Sequence, residues 1–371
     1  MDIRNIEKAW RVAWMRLIGR MLPGARTTSL PTDRPLRVLF VRYERIGDMI
    51  MATGMIRALS ESPRVATLDV VANPTTRPVL EHNPHIHKVF TLDRKSWKSY
   101  RALGAALRRE KYDVIVDGRI NNPAVFTSTP LLMLHAGAPY RVGVGGGNND
   151  LVYNVRVAPY DRSVHYVEGS KALAIPFDID VDAETWQPEI FLTRDEERRS
   201  NEVWKRAAAR VASPGNLTVG AVAEPRLLVN LSASEPKRRW ADENFVEVLR
   251  AVRDAHPRMP IVVMGLPSEW SSVERVAREV NAEAAATPKL REALALVGTS
   301  ERVFTPDTSI SHAASAFGKR AVVLLKREHH PYAPWGNPAE IVFWDGETIE
   351  GLKVEPVREA VLRLVSDQEI R

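Results

Sequence analysis

From residue 36 onward, the sequence alternates short β-rich runs with stretches of helical periodicity. The run Leu36–Arg42 is largely apolar, as in parallel strands that are buried on both faces. The predicted strands are 36–42, 67–72, 88–92, 112–117, 227–231, 261–264, 302–304 and 321–325. Helical patterns cover 48–61, 75–82, 96–110, 193–211, 241–256, 268–280, 289–297 and 311–317. This alternation predicts an α/β fold of doubly wound parallel sheets, each with helices on both faces.

Chain length and one irregular segment predict two such domains. At roughly 100 to 200 residues per domain, the 371 residues suffice for two cores. Segment 174–182 contains a proline and shows neither helical nor strand periodicity, so we place the boundary there. The predicted parts are a helix and linker at 1–35, an N-terminal Rossmann-like domain at 36–175 and a C-terminal one at 176–371. Ligands of such sheets bind beyond the carboxyl ends of the strands, so we expect the site in loops that face each other across a cleft.

The composition excludes several classes of protein. The absence of cysteine removes disulfides, thiolate zinc sites and cysteine nucleophiles. A hydrophobic content of 44% excludes a disordered chain. No stretch approaches the ~18 uninterrupted apolar residues of a membrane span, and the N-terminus lacks the pattern of a cleaved signal peptide. We therefore expect a soluble, cytoplasmic protein.

Most of the net charge of +6 belongs to the N-terminus, because residues 1–26 hold six basic and two acidic side chains. Apolar residues, among them Trp10 and Trp14, recur there at helical spacing with basic residues between them, until Pro23-Gly24 ends the pattern. Such a helix fits an anionic membrane interface, and docking on the protein's own surface is the alternative. No basic stripe with interleaved aromatic residues follows, so nucleic acid is not an expected partner.

A carboxylate follows the first predicted strand, where Gly47-Asp48 opens the next helix. This position lies at the carboxyl edge of the sheet, where a general base could act. The alternative is a capping or first-turn aspartate, which stabilises a helix by ~1 kcal/mol. The loop is not a dinucleotide fingerprint, because it lacks Gly-x-Gly-x-x-Gly.

Two segments in the second half of the chain suit a phosphate group. Three cations, Lys237 to Arg239, follow the strand at 227–231, and arginine can hold phosphate oxygens bidentately. A solvated basic turn is the alternative interpretation. Segment Thr305–His312 joins a strand to a helix of small residues, and the hydroxyl and N–H groups of a helix N-terminus bind anions. Together the two segments predict a phosphate or diphosphate site.

Three segments resemble the ADP-heptose:lipopolysaccharide heptosyltransferase family, glycosyltransferase family 9. They are Arg42-x-x-x-x-Gly-Asp48 after a strand, Asn230–Trp240, and Thr305–Lys319 with its Asp-Thr and His-x-Ala-Ala patterns. The resemblance spans roughly residues 36 to 345. It implies a GT-B fold of two Rossmann-like domains facing across a cleft, with the glycan acceptor in the N-terminal domain and the nucleotide sugar in the C-terminal one.

The resemblance also implies roles for single residues. Asp48 matches the catalytic base, Arg238 matches a phosphate-binding lysine with Lys237 adjacent, and Glu269 stands where members hold the nucleoside ribose. The remaining candidates are Asp307, Thr308, Ser309 and His312 on the donor side, and Arg45 and Arg119 on the acceptor side. A structural role is the alternative for His312, as is a surface role for Arg119. Three features depart from the family pattern: Ser309 replaces a glycine, segment 326–331 replaces a Gly-Pro-Thr loop, and the N-terminal helix precedes the usual start.

The expected activity is inverting, metal-independent transfer of a heptose or related sugar from a nucleotide-diphosphate donor, ADP-heptose by resemblance. The acceptor is a lipopolysaccharide-core or similar lipid-linked glycan at the inner face of the cytoplasmic membrane, and no cofactor is expected. The alternatives are a nucleotide-sugar epimerase of the same architecture and a nucleotide-sugar-binding homologue without activity.

Three sets of residues resemble metal or phosphate-binding motifs of other proteins. Asp178–Asp182 resembles an Asp-x-Asp metal motif but lies at the predicted boundary, and His312 with His329 and His330 could be imagined as metal ligands. We expect no metal at either place. The glycine-rich segment Gly145–Asn149 has no helical pattern after it, so an acceptor-side loop is the better interpretation.

Overall fold

The computed structural model describes residues 29–93, 96–120, 128–146, 150, 152–161, 163–212, 224–233 and 235–366. The chain forms two compact units, one up to Trp186 and one from Gln187. The predicted N-terminal amphipathic helix lies outside the described residues. Among the residues that are described, no helix combines the length and apolar character that a membrane crossing requires.

The first unit consists of a six-stranded parallel sheet with flanking helices. Its strands are β1 (Leu36–Val41), β2 (Val65–Ala72), β3 (Lys88–Thr91), β4 (Val114–Asp117), β5 (Tyr140–Val144) and β6 (Val155–Val157). Its helices are α1 (Ile46–Met51), α2 (Thr53–Glu61), α3 (Trp97–Glu110), α4 (Ser128–Ala136) and α5 (Tyr166–Ser170). Short 3-10 helices cover Arg77–Leu80, Lys171–Leu173 and Ile175–Phe177.

The second unit repeats this architecture. Its strands are β7 (Leu227–Asn230), β8 (Ile261–Met264), β9 (Glu283–Ala285), β10 (Arg302–Pro306), β11 (Arg320–Lys326) and β12 (Ala339–Trp344). Its helices are α6 (Arg194–Val211), α7 (Asp242–Ala255), α8 (Trp270–Glu279), α9 (Leu290–Thr299), α10 (Ser309–Ala316) and α11 (Val354–Val365). Short 3-10 helices cover Pro236–Arg238, Pro267–Glu269, Arg327–Tyr332 and Ile349–Gly351. The predicted class, two doubly wound parallel-sheet α/β domains, is confirmed.

The two sheets have the same topology. Their strand orders are β3-β2-β1-β4-β5-β6 and β12-β11-β10-β7-β8-β9, so the order reverses at the centre of each sheet. The central pairs are β1 with β4, where Val41 lies beside Asp117, and β7 with β10, where Val229 lies beside Phe304. In sheets of this kind, ligands bind in the crevice beyond the carboxyl ends of the central pair. The loops after β1, β4, β7 and β10 are therefore the places to examine.

Each sheet is buried by the apolar faces of its own helices. The strands β4, β7 and β8 have four residues each, and every one of these residues is buried, as expected of parallel strands covered on both sides. In the second unit, Trp240 packs edge-on against Phe245 at a ring-centroid distance of 5.2 Å, and Phe245 contacts Phe304 at 5.3 Å. Trp240, which follows the basic segment 237–239, is thereby fixed in the core and anchors that segment at the sheet edge.

Several predicted elements differ from those in the structure. The predicted helix at 75–82 is reduced to one 3-10 turn, because Pro78 cannot donate an intrahelical hydrogen bond. The predicted helix at 48–61 is interrupted at Ala52, next to which the Thr53 hydroxyl donates to the Ile50 carbonyl at 2.6 Å. Strands β5, β6, β9 and β12 and helices α4, α5 and α11 were not predicted.

The irregular segment 174–182 packs with the first unit. Phe177 is buried, its carbonyl accepts a hydrogen bond from the Ser62 hydroxyl at 3.2 Å, and Asp178 pairs with Arg64. The chain passes into the second unit only after Trp186.

Candidate functional site

The loop after β1 places a carboxylate at the central edge of the first sheet. Arg45 is the N-cap residue of α1, and Asp48 lies in the first turn of this helix. Asp48 therefore does not cap the helix, although its charge still complements the positive end of the helix dipole. Its side chain is 19% exposed, so the carboxylate is accessible while partly enclosed. Arg45 is exposed at this cap position, and its side chain makes no capping hydrogen bond to the helix.

Arg42, the first residue after β1, holds this carboxylate. Its guanidinium is only 2% exposed, and Nη2 lies 3.1 Å from Oδ2 of Asp48. Nη1 donates to the Gly118 carbonyl at 3.0 Å, and Nε lies 3.5 Å from Oε2 of Glu44. Burial lowers the pKa of Arg42, but electrostatic interactions with Tyr166, Asp48 and Glu44 outweigh burial and leave this pKa above its ordinary value. The group is therefore a permanent cation that orients Asp48.

Gly118, after β4, packs closely against the ring of Phe40 in β1. A Cβ atom at this position would lie 2.4 Å from the ring of Phe40, so only glycine fits here without displacement. The Tyr166 hydroxyl also donates to the Gly118 carbonyl, at 3.2 Å, and the Arg42 guanidinium lies 5.1 Å from the centre of the Tyr166 ring. The loops after β1 and β4 are thus joined around one buried cation.

Arg119, a predicted acceptor-binding residue, is not a free surface cation. Its side chain is 13% exposed, donates to both carboxylate oxygens of Asp117 and lies 3.3 Å from Glu44. The hydroxyl of Tyr153 also donates to Asp117, at 2.6 Å. Burial lowers the pKa of Arg119, but the charge and hydrogen bonds of Asp117 outweigh burial and leave this pKa above its ordinary value. The alternative of a solvated surface arginine is wrong, because the group belongs to the same network as Arg42.

In the second unit, Asn230 connects the two central strands. It ends β7, and its amide Nδ2 donates to the hydroxyl of Thr305 in β10 at 3.0 Å and to the hydroxyl of Thr308 at 3.3 Å. Thr308 is the N-cap of α10 and accepts a hydrogen bond from the Ile310 amide at 3.2 Å. The Asn230 side chain therefore fixes the start of α10, where the predicted anion site lies. Ser309 is the first residue of α10, two residues earlier than predicted, and His312 is buried within it.

Arg238 stands at the same edge. Its side chain is 13% exposed, and its Nη1 lies 3.3 Å from Oδ2 of Asp307 in the loop after β10. Glu235 lies 3.4 Å away on the other side, and Nη2 lies 3.5 Å from Nε2 of His329. Lys237 is more exposed and pairs with Glu235 at 3.2 Å. Two of the predicted donor residues, Arg238 and Asp307, are thus brought into contact.

Glu269 lies in a second cluster nearby, at the end of the 3-10 helix after β8. One of its oxygens accepts from the Ser232 hydroxyl, and the other accepts from Nε of Arg239 at 3.0 Å. Arg239 also donates to Asp242 at 2.6 Å. Gly265 permits this packing, because a Cβ atom there would lie 2.9 Å from the Ser232 oxygen. The carboxylate is held in place at the sheet edge, with lone pairs left for a ligand hydroxyl.

The acidic segment 178–182 and the glycine-rich segment that begins at Gly145 make ion pairs or hydrogen bonds with nearby residues of the first unit. Asp178 pairs with Arg64, and Asp180 accepts hydrogen bonds from the backbone of Asp182 and Ala183. Gly146 donates to the carboxylate of Asp150 at 3.0 Å, while residues 147–149 lie outside the described part. Within the described ranges, no group of three histidine, aspartate or glutamate side chains is arranged to hold a metal ion.

Three contributors were given no role in the site from the sequence: Arg42 and Asn230, which stood only as motif positions, and His329, which was considered only as a metal ligand. Arg42 and Asn230 had a usable signal, since each is a polar residue at the end of an apolar strand that borders the predicted switch point. No sequence signal pointed to His329, because its contact with Asp307, 22 positions earlier, depends on tertiary packing.

Residues 100–354 match the family described as "Glycosyltransferase family 9 (heptosyltransferase)". Lipopolysaccharide heptosyltransferase 2 of Escherichia coli K12 is 22% identical over 319 residues, which are 81% of this chain and 85% of the relative. A glycosyltransferase family 9 structure from Veillonella parvula matches with a TM-score of 0.74 and 16% identity, and covers 90% of this chain and 98% of its own. The structure of E. coli heptosyltransferase WaaC with ADP matches with a TM-score of 0.66 and 16% identity, over 91% and 100% of the two chains.

These structural similarities confirm the GT-B type of fold. The family match covers well over half of the chain and includes α10 and the basic segment before Trp240. The chain therefore belongs to glycosyltransferase family 9, the heptosyltransferase family, and is a glycosyltransferase.

Proposed function

We propose that this enzyme transfers a heptose, with inversion and without a metal ion, from ADP-heptose to a lipopolysaccharide-core or similar lipid-linked glycan. The family supports the reaction class, and the curated relatives are lipopolysaccharide heptosyltransferases. The observation that carries the residue assignment is the partly exposed Asp48 carboxylate, held by a buried arginine beyond the central strand pair.

Asp48 is the general base in this proposal. An acceptor hydroxyl attacks an anomeric carbon only as its proton is removed, which a positioned carboxylate accomplishes with a contribution of roughly 10²- to 10⁴-fold. Arg42 fixes one oxygen of Asp48 at 3.1 Å, so the other oxygen has a defined direction. A single displacement from the face opposite the leaving group inverts the anomeric configuration.

The loops after β7 and β10 bind the donor in this proposal. Loss of the nucleoside diphosphate places negative charge on its phosphates, which cations and helix N–H groups stabilise. Arg238, Lys237 and the N-terminus of α10, with Thr308 and Ser309, supply these groups, and Glu269 accepts from the ribose hydroxyls. The E. coli relative solved with ADP supports an adenine nucleotide.

The N-terminal segment places the enzyme at its substrate. The lipid-linked acceptor is at the inner face of the cytoplasmic membrane in this proposal, and residues 1–26 carry six of the basic side chains beside two tryptophans. Arginine binds anionic headgroups, and tryptophan prefers the interface. We infer that this segment binds the membrane surface peripherally.

The alternatives are not favoured. The matching family is one of transferases, which does not support a nucleotide-sugar epimerase. A binding protein without activity would not need a base, yet Asp48 is present, accessible and paired.

Replacement of Asp48 by Asn should lower kcat by roughly 10²-fold or more, because the amide cannot take the acceptor proton. The dissociation constant for ADP-heptose should remain nearly unchanged, since Asp48 lies in the first unit. Steady-state transfer kinetics and calorimetric donor binding measure the two quantities. Glu44→Gln is the matched control, because Glu44 also pairs with Arg42. Equal losses in the two variants would show that Asp48 acts only as a counter-charge.

Arg42→Lys should lower kcat by roughly 10- to 100-fold without changing donor affinity, because one ammonium cannot reproduce contacts made by three guanidinium nitrogens. The control is Arg37→Lys, which changes an arginine within β1 that pairs with Glu110 at 3.3 Å. If Arg37→Lys lowers kcat equally, the loss arises from a general disturbance of β1 and not from a changed orientation of Asp48.

Deletion of residues 1–26 should abolish co-sedimentation with vesicles that contain phosphatidylglycerol, because it removes a net charge of +4 and both tryptophans. Transfer to a water-soluble acceptor analogue should continue, which shows that the remaining chain is folded. Phosphatidylcholine vesicles are the control for charge. Unchanged binding of the shortened chain to anionic vesicles would contradict the membrane role.

A further inference from the structure

His329 joins the donor loops although no role has been assigned to it. It lies in the 3-10 helix Arg327–Tyr332 that follows β11, in the segment that replaces the family's Gly-Pro-Thr loop. Its side chain is 22% exposed and reaches the loop after β10 and the loop after β7. The neighbouring His330 is exposed and lies against Phe343 instead, at a ring-centroid distance of 5.9 Å.

The contacts of His329 form a closed triangle. Its Nδ1 lies 2.9 Å from Oδ2 of Asp307, and its Nε2 lies 3.5 Å from Nη2 of Arg238. Nη1 of Arg238 lies 3.3 Å from the same oxygen of Asp307. An ionised carboxylate only accepts, so Nδ1 carries the hydrogen, and in the neutral ring Nε2 is an acceptor that faces the arginine.

The charges around His329 are opposed. Asp307 faces Nδ1, while Arg238 faces Nε2, and Glu328 of the same 3-10 helix lies 3.6 Å from Nε2. Glu328 is paired with Lys326 at 2.6 Å, and Arg238 is paired with Glu235. Arg238 is thus the positive charge that opposes a proton on Nε2, and its pairing with Asp307 and Glu235 weakens this opposition without removing it.

A bound diphosphate would change this balance. Its oxygens would take Arg238 from Asp307, and the Asp307 carboxylate would then lie beside a second anion. Like charges this close repel strongly in a partly buried site. A proton on His329 would give Asp307 a cationic partner, and the negative charge of the diphosphate would offset the repulsion between this proton and Arg238.

We propose that His329 is a positioning residue of the donor diphosphate site, which holds Asp307 and takes up a proton from solvent when a nucleoside-diphosphate sugar binds. The proposal rests on the proposed function, because it takes the loops after β7 and β10 as the donor site. It adds a pH dependence of donor affinity that belongs to this chain's own segment 326–331.

Calorimetry of ADP-heptose binding tests this coupling. The diphosphate of a nucleotide sugar is a diester and does not titrate between pH 6 and 8.5, so it contributes no proton of its own. Titrations of the full chain in two buffers of different ionisation enthalpy measure proton uptake directly. We expect uptake near neutral pH, with affinity that falls roughly fivefold between pH 6 and pH 8.

His329→Gln separates the titration from the hydrogen bond, since glutamine can still donate to Asp307 but cannot gain a proton. This variant should bind more weakly at pH 6 and show neither uptake nor the change with pH. His330→Gln is the matched control, with the same substitution one residue away, and should behave as the wild type. Persistence of the uptake in His329→Gln would overturn the proposal.

Different results would contradict the proposed function and the role of His329. Failure of the wild-type enzyme to bind ADP-heptose would contradict the proposed function, and the role of His329 with it. Donor binding without proton uptake by the wild type would overturn the role of His329 alone, and this measurement needs no variant.

Discussion

Parallel pairing of the central strands, β1 with β4 and β7 with β10, is the constraint on which the candidate site depends. Because paired parallel strands end at the same edge, residues far apart in sequence become neighbours there. In the first unit this joins Arg42 to the carbonyl of Gly118, 76 positions later. In the second it joins Asn230 to Thr305 and Thr308. Each sheet thereby fixes one set of functional groups without a long loop.

The two sites use arginine in different ways. Arg42 is buried with two carboxylates and a carbonyl around it, an arrangement whose disruption leaves an uncompensated buried charge. Such a cation is suited to hold Asp48 in one orientation. Arg238 is held by Asp307 and Glu235 at 3.3 and 3.4 Å, in contacts that an incoming anion can replace. Arg42 therefore keeps its buried partners, whereas Arg238 can exchange its carboxylate partners for an anionic ligand.

Sequence reasoning found the architecture and the site loops because both depend on local patterns. Apolar strands followed by polar residues predicted where Asp48 and Arg238 would lie, and the fold brings Arg238 to Asp307 as a site at one edge requires. Strand β9 carried little signal, since Glu-Ala-Ala has no strand preference and is fixed by pairing with β8. The contact of His329 with Asp307, and the burial of Arg119, arise only from tertiary packing and could not be predicted.

In the proposed reaction, the sugar leaves its nucleotide only to join an acceptor hydroxyl, with inversion. The most direct test is to incubate the full chain with ADP-heptose, with and without a lipopolysaccharide-core acceptor, and to analyse the products by mass spectrometry and NMR. We predict an unchanged donor sugar when acceptor is absent. With acceptor, we predict a glycan one heptose larger, whose new anomeric configuration is opposite to that of the donor. An altered sugar formed from the donor alone, or a product with retained configuration, would contradict the account.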